Sequence, residues 1–155
     1  MDTLLTAKSR ILARGGNGNQ VTVVAASEDS TTSARAEEFC NGLARLLGTA
    51  YTLNKQMWPL SELRLAQLRS IAAADAARAD MIIVSVRHSE ALPADLASWI
   101  EEWVHHKHKR VQVLLGQFDP VHQGVSTAIR AHLAEVARKA HVEFLAQSEE
   151  TVAEV

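Results

Sequence analysis

Three short stretches of this sequence collect the residue types that bind ligands or move protons. They are Ser27, Glu28, Asp29, Ser30, Thr31 and Thr32 in SEDSTTSA, Arg87, His88, Ser89 and Glu90 in RHSEA, and Gly116, Phe118, Asp119 and His122 in GQFDPVHQG. A hydroxyl run just before an apolar helical pattern serves one of two ends. It caps the helix, its oxygens accepting from the free N–H groups of the first turn, or it cradles a phosphate there. Here no glycine lets the backbone close around phosphate, and Glu28 and Asp29 would repel one. The same two acids are well placed at the positive end of a helix dipole, so a cap is the expected role. His88, Asp119 and His122 offer imidazole and carboxylate for acid–base work, yet no nucleophile elbow or oxyanion-donor signature accompanies them. They are expected to contact a ligand rather than to catalyse.

Two further features carry less chemistry. His105, His106 and His108 cluster in HHKHKR, but neighbours on a helix point about 100° apart and no cysteine completes a tetrahedral set. A solvated basic helix end, favourably placed at the negative end of the dipole, is the expected role, with no metal. The single cysteine, Cys40, lies within an apolar helical pattern. It reads as a packed thiol in a reducing, cytoplasmic setting.

The elements that must position these loops alternate strand and helix. VTVVAA (21–26), MIIVSV (81–86) and VQVLL (111–115) are short, β-branched and nearly all apolar, as strands buried on both faces of a parallel sheet must be. The mixed segment 51–58, stopped by Pro59, suits a sheet edge, and HVEFLA (141–146) supplies a last strand. Between them run apolar helical stripes. The first comprises Ala36, Phe39, Cys40, Leu43, Leu46 and Leu47, ended by Gly48, and the second Leu65, Leu68, Ala72, Ala76 and Ala79. The third is Leu96, Trp99, Ile100, Trp103 and Val104, opened by Pro93, and the fourth Val125, Ile129, Leu133, Val136, Ala137 and Ala140. Five strands and four helices predict an α/β fold, a three-layer, doubly wound parallel sheet with strand order 2-1-3-4-5. In that order the loops after strands one, three and four meet at the carboxyl edge, so the three polar stretches form one candidate site.

This succession resembles the flavodoxin-like proteins. The local likeness is ADMIIVSVRHSEALPADLASWIEEW (79–103), similar to the strand, loop, Leu-Pro and Leu-x-x-Trp/Phe helix of flavodoxins and flavin reductases. The resemblance implies FMN, its phosphate held by Ser27 and Ser30 to Ser33 and its ring against Phe118, with the phosphate loop departing from the family pattern. The acidic pair Glu28 and Asp29 also resembles that of response-regulator receivers. Ser85 or Val86 stands where their phosphate-accepting aspartate would lie, however, and no lysine ends the last strand.

With 155 residues, 47% of them hydrophobic, the chain has material for one sizeable core, and a formal net charge of -2 gives no field that would attract nucleic acid. No apolar run is long enough to span a bilayer, so no membrane partner is expected. Residues 1–19 read as an amphipathic arm with a Gly/Asn-rich linker, pendant or partner-binding, followed by the domain at 20–147 and an acidic tail at 148–155. Trp58, at the end of the weak strand, is a candidate anchor for a homodimer or another protein partner. The expectation is a non-catalytic flavodoxin-like domain that binds a partner or a small regulatory ligand, with an FMN-dependent redox protein as the alternative.

Overall fold

The apolar runs form a parallel sheet whose two faces are both covered by helices. In the computed structural model, which describes residues 3–13, 18–87, 92–106, 111, 113–118 and 123–148 (of 123–127 and 148 the backbone alone), the strands are β1 (Gln20–Ser27), β2 (Thr52–Pro59), β3 (Met81–Ser85), β4 (Val113–Phe118) and β5 (Glu143–Ser148). They lie in the order β2-β1-β3-β4-β5, all parallel. The fold is thus the three-layer flavodoxin-like topology read from the sequence. The helices are α1 (Thr3–Leu12), α2 (Ser30–Leu47), α3 (Leu60–Leu63), α4 (Ala66–Ala77), α5 (Ala94–Val104) and α6 (Gln123–Ala140).

Crossover direction decides which face each helix covers. The step from β1 to β2 runs one way along the sheet and every later step runs the other, so right-handed crossovers put α2 on one face and α3 to α6 on the opposite one. On the first face Ala36, Phe39, Cys40 and Leu43 of α2 pack on Val23, Ala25, Ile83 and Leu115. On the second, Ala72 and Ala76 of α4, Leu96, Trp99, Ile100 and Trp103 of α5, and Ile129 and Leu133 of α6 pack on Val24, Ile82, Val84 and Leu114. Trp99 and Trp103 are fully buried and meet edge to face at 6.5 Å.

This topology would leave β4 and β5 uncovered on the α2 face, and α1 covers them. Ala7 and Ile11 are fully buried in the same cluster as α2, and Arg10 pairs with Glu143 of β5 at 2.6 Å. The expectation of a pendant arm is corrected: the amphipathic stripe of α1 is a layer of the fold, because this face has apolar strand to cover and one crossover helix to do it.

Two local expectations are corrected as well. Leu65 is 58% exposed and lies off the second stripe, because the chain breaks between α3 and α4 and Leu65 is the extended N-cap of α4. Strand β4 runs to Phe118 rather than ending at Leu115, which takes Gly116 and Phe118 out of the loop. Gly48 ends α2 at φ 78, a conformation that favours glycine. Among the described residues no helix is long and apolar enough to cross a membrane.

Candidate functional site

The carboxyl edge of the sheet, on the α2 face, holds a row of polar side chains in one register. Ser27 is paired with Ser85, Ser85 with Gln117 and Gln117 with Gln147, across β1, β3, β4 and β5. Ser27 and Ser85 close their apolar strands and Gln117 is the penultimate residue of β4, and all three are almost wholly buried, Ser27 and Gln117 at 1% exposure and Ser85 at 0%. Partners in register on parallel strands project from the same face, and Gln117 reaches α2, so the row lies beneath the first turns of that helix. Gln117 Nε2 donates to the Arg35 carbonyl at 3.4 Å and to Gln147 Oε1 at 2.8 Å. Among the described residues Ser27 Oγ, Ser85 Oγ and Gln117 Oε1 have no hydrogen-bond partner.

The turn from β1 into α2 sits beyond the row and is tightly organised. Asp29 is the N-cap: its Oδ1 accepts from the Thr32 N–H at 2.9 Å, and Thr32 Oγ1 accepts from the N–H groups of Glu28 and Asp29, both at 2.9 Å. This reciprocal capping box satisfies donors that a bound anion would otherwise take. Thr32 is fully buried, whereas Ser30 and Thr31 face outward from the first turn. The hydroxyl run therefore caps the helix, as its acids suggested.

Arg87, two residues past Ser85, ties the end of β3 to this turn. Its N–H donates to Glu28 Oε1 at 2.9 Å, and its Nη1 stands 3.5 Å from Asp29 Oδ2. Its Nε is buried and has no partner among the described residues. Partial burial works to raise the Asp29 pKa, but the Thr32 N–H and hydroxyl and the Arg87 guanidinium outweigh it and hold the carboxyl below its ordinary 3.8. Asp29 is thus a fixed anion rather than a proton acceptor.

Two members of the third predicted stretch, Gly116 and Phe118, do not join this site. Gly116 and Phe118 project from the opposite face of β4, Phe118 is 0% exposed, and the Arg130 guanidinium lies 5.0 Å from its ring centre. The expectation of an exposed aromatic wall is corrected: Phe118 fills the core because β4 continues through it. Ser27, Asp29, Thr32 and Arg87 are brought together; His88, Ser89, Glu90, Asp119 and His122 lie outside the described residues. Ser85 and Gln117 were missed as site residues. Their signal is a polar letter at or next to the end of each apolar strand, AAS, IVS and LGQF.

The other titratable features stand apart from the row. Cys40 is buried in the α2 core, and its burial pushes the thiol up to about 11. His105, at the amino edge of the sheet, places Nδ1 2.7 Å from the Glu101 carbonyl, which fits an ordinary helix end. Among the described residues no three His, Cys, Asp or Glu side chains converge as metal ligands. Trp58 is half-buried against the core on the α3–α6 face, and its ring N–H donates to Gln56 Oε1 at 3.2 Å. No protein-family model matches the chain, and no curated protein matches it.

Proposed function

We propose that this chain is a non-catalytic, flavodoxin-like domain that binds a small regulatory ligand, or a polar group of a partner, at the carboxyl edge of its sheet beneath α2. The observation that carries this reading is the row of three neighbouring, buried and unpartnered polar atoms, Ser27 Oγ, Ser85 Oγ and Gln117 Oε1. A buried polar group left without a partner costs about 1–3 kcal/mol, so a fold does not keep three side by side for its own stability. Three of them at a switch-point edge are what a ligand's polar groups would complete.

Catalysis is disfavoured by the same contacts. Asp29 is committed to capping and to Arg87, and the Cys40 thiol is protonated and enclosed. FMN is disfavoured because Asp29 already occupies the Thr32 N–H and Phe118 is inside the core. A reducing, cytoplasmic setting suits the lone buried thiol, and a homodimer would most simply use the β2 edge beside Trp58.

The test is chemical-shift mapping during an unbiased ligand screen. Perturbations centred on Ser27 to Thr32, Ser85 to Arg87 and Gln117 are expected. Perturbations confined to the opposite edge, near Leu47 to Thr49 and His105, would overturn the reading.

A further inference from the structure

We infer that the ligand of this edge is a small organic acid carrying an O–H or N–H donor beside its carboxylate, an inference that rests on the binding reading above. The donor requirement comes from Gln117. Its amide Nε2 donates to Gln147 Oε1 at 2.8 Å and, in a longer contact of 3.4 Å, to the Arg35 carbonyl, which favours this orientation of the amide. A main-chain carbonyl cannot donate, so the flipped amide would set oxygen against oxygen. The outward atom is therefore Oε1, an acceptor without a partner, and only a donor satisfies it.

The anion requirement comes from Arg87. Its Nε–H is unpartnered, and its one described side-chain contact, Nη1 to Asp29 Oδ2 at 3.5 Å, is an ion pair too long for a strong hydrogen bond. The Nε and Nη donors of one guanidinium form a fork that a carboxylate fills with two parallel bonds. The Asp29 carboxylate, its Oδ1 held by the Thr32 N–H, reaches only Nη1 through Oδ2 and leaves the Nε–H of the fork unmet.

The two requirements fall within reach of one small molecule. The Val86 N–H donates to the Gln117 carbonyl at 3.1 Å, so the chain leading to Arg87 still runs alongside Gln117. Neighbouring strands are about 4.8 Å apart and a two-residue step along a strand is about 6.6 Å, which matches a molecule of two to four carbons. The hydroxyl of Ser85 lies beside both ends, with that of Ser27 next to it on β1, and each can donate or accept as the ligand demands. The orphan atoms are closed from solvent here, and Asp29 and Arg87 stand two residues beyond Ser27 and Ser85, over the row. Binding therefore exchanges one carboxylate for another at Arg87 and moves the β1–α2 turn away from the row.

Three probes of one size separate the requirements: glycolate has charge and donor, acetate has charge alone, and glycolamide has donors alone. In a titration of the whole chain followed by ¹H–¹⁵N spectra, glycolate is expected to shift the Gln117 side-chain amide and Arg87 Nε–H signals saturably. Its dissociation constant should be at least about tenfold below that of acetate or glycolamide. Arg87→Gln should weaken glycolate by about tenfold or more, and Gln117→Met should erase its advantage over acetate. Equal binding of glycolate and acetate by the unaltered protein, which needs no variant to fold, would overturn the inference. So would no saturable shift with glycolate. If another ligand then shifts the same signals, the binding site stands and only its chemistry is wrong; if no compound in a broad screen shifts them, both readings fall.

Discussion

The ring of Phe118 lies where a side chain at Gly116 would be: a Cβ built on Gly116 would stand 2.7 Å from Phe118 Cζ and 3.2 Å from Leu133 Cδ1. The glycine is what lets the aromatic fold back along its own strand into the α6 face. Gly116→Ala is expected to destabilise the protein by about 1–3 kcal/mol, read as a lower urea midpoint at unchanged slope. An unaltered midpoint would mean that the ring is free to swing away.

The capping box makes Asp29 and Thr32 a unit. Asp29→Ala and Thr32→Ala should each cost about 1–2 kcal/mol in chemical denaturation, and the double variant clearly less than their sum. Full additivity would show that the two side chains act separately.

The lowered Asp29 pKa has a definite pH signature. Its folded value is below the unfolded 3.8, so the stability contributed by its charge is present above that value and is lost as pH falls through the folded one. Asparagine keeps the cap and removes the charge. The stability difference between the native protein and Asp29→Asn should therefore shrink as pH is lowered from 7 to below about 4. A constant difference over that range would refute the assignment.

Cys40 should resist chemistry. Desolvation, with the Glu37 charge adding to it and Lys55 opposing it, pushes the thiol up to about 11 from 9.0. The folded state holds the proton more tightly, so the associated stability is complete below pH 9 and declines as pH rises towards 11. At pH 8 an aromatic disulfide reagent should react at the rate of global unfolding, and at once in denaturant. Rapid reaction of the native protein would place the thiol nearer solvent.

Flavin makes the plainest test of the family resemblance. With the Thr32 N–H taken by Asp29 and Phe118 enclosed, the purified protein should show no visible absorption band and no saturable quenching of FMN at micromolar concentration. Stoichiometric yellow cofactor would restore the redox reading.

Much of this architecture was legible because β1 and β3 are uninterrupted apolar runs of strand length, and the α2 and α5 stripes repeat at helical spacing. The end of β4 was not. Gly116 and Gln117 read as loop letters, and only the tertiary partners Arg35, Gln147 and Leu133 explain why the strand accepts them. The break at Leu65 was hidden for the same reason, since an apolar residue at a cap looks like one on a stripe. Half of the site could be read: the acids and hydroxyls of the β1–α2 turn, and Arg87. The polar row could not, because it exists only in the register between strands: Ser85 reads as part of the strand 81–86 and Gln117 as part of a loop, and nothing in the sequence marks them as neighbours.

The placement of α1 sets an order of events. Ala7 and Ile11 are buried against α2, and Arg10 reaches Glu143, in the last strand of the sheet. α1 therefore finds part of its cover in α2, nearby in sequence, but its packing is completed only when β4 and β5 have formed. That last closure joins segments remote in sequence and falls late in folding. The same docking joins the first helix to the last strand, so loosening β5 should release α1 with it, as one cooperative unit of local unfolding.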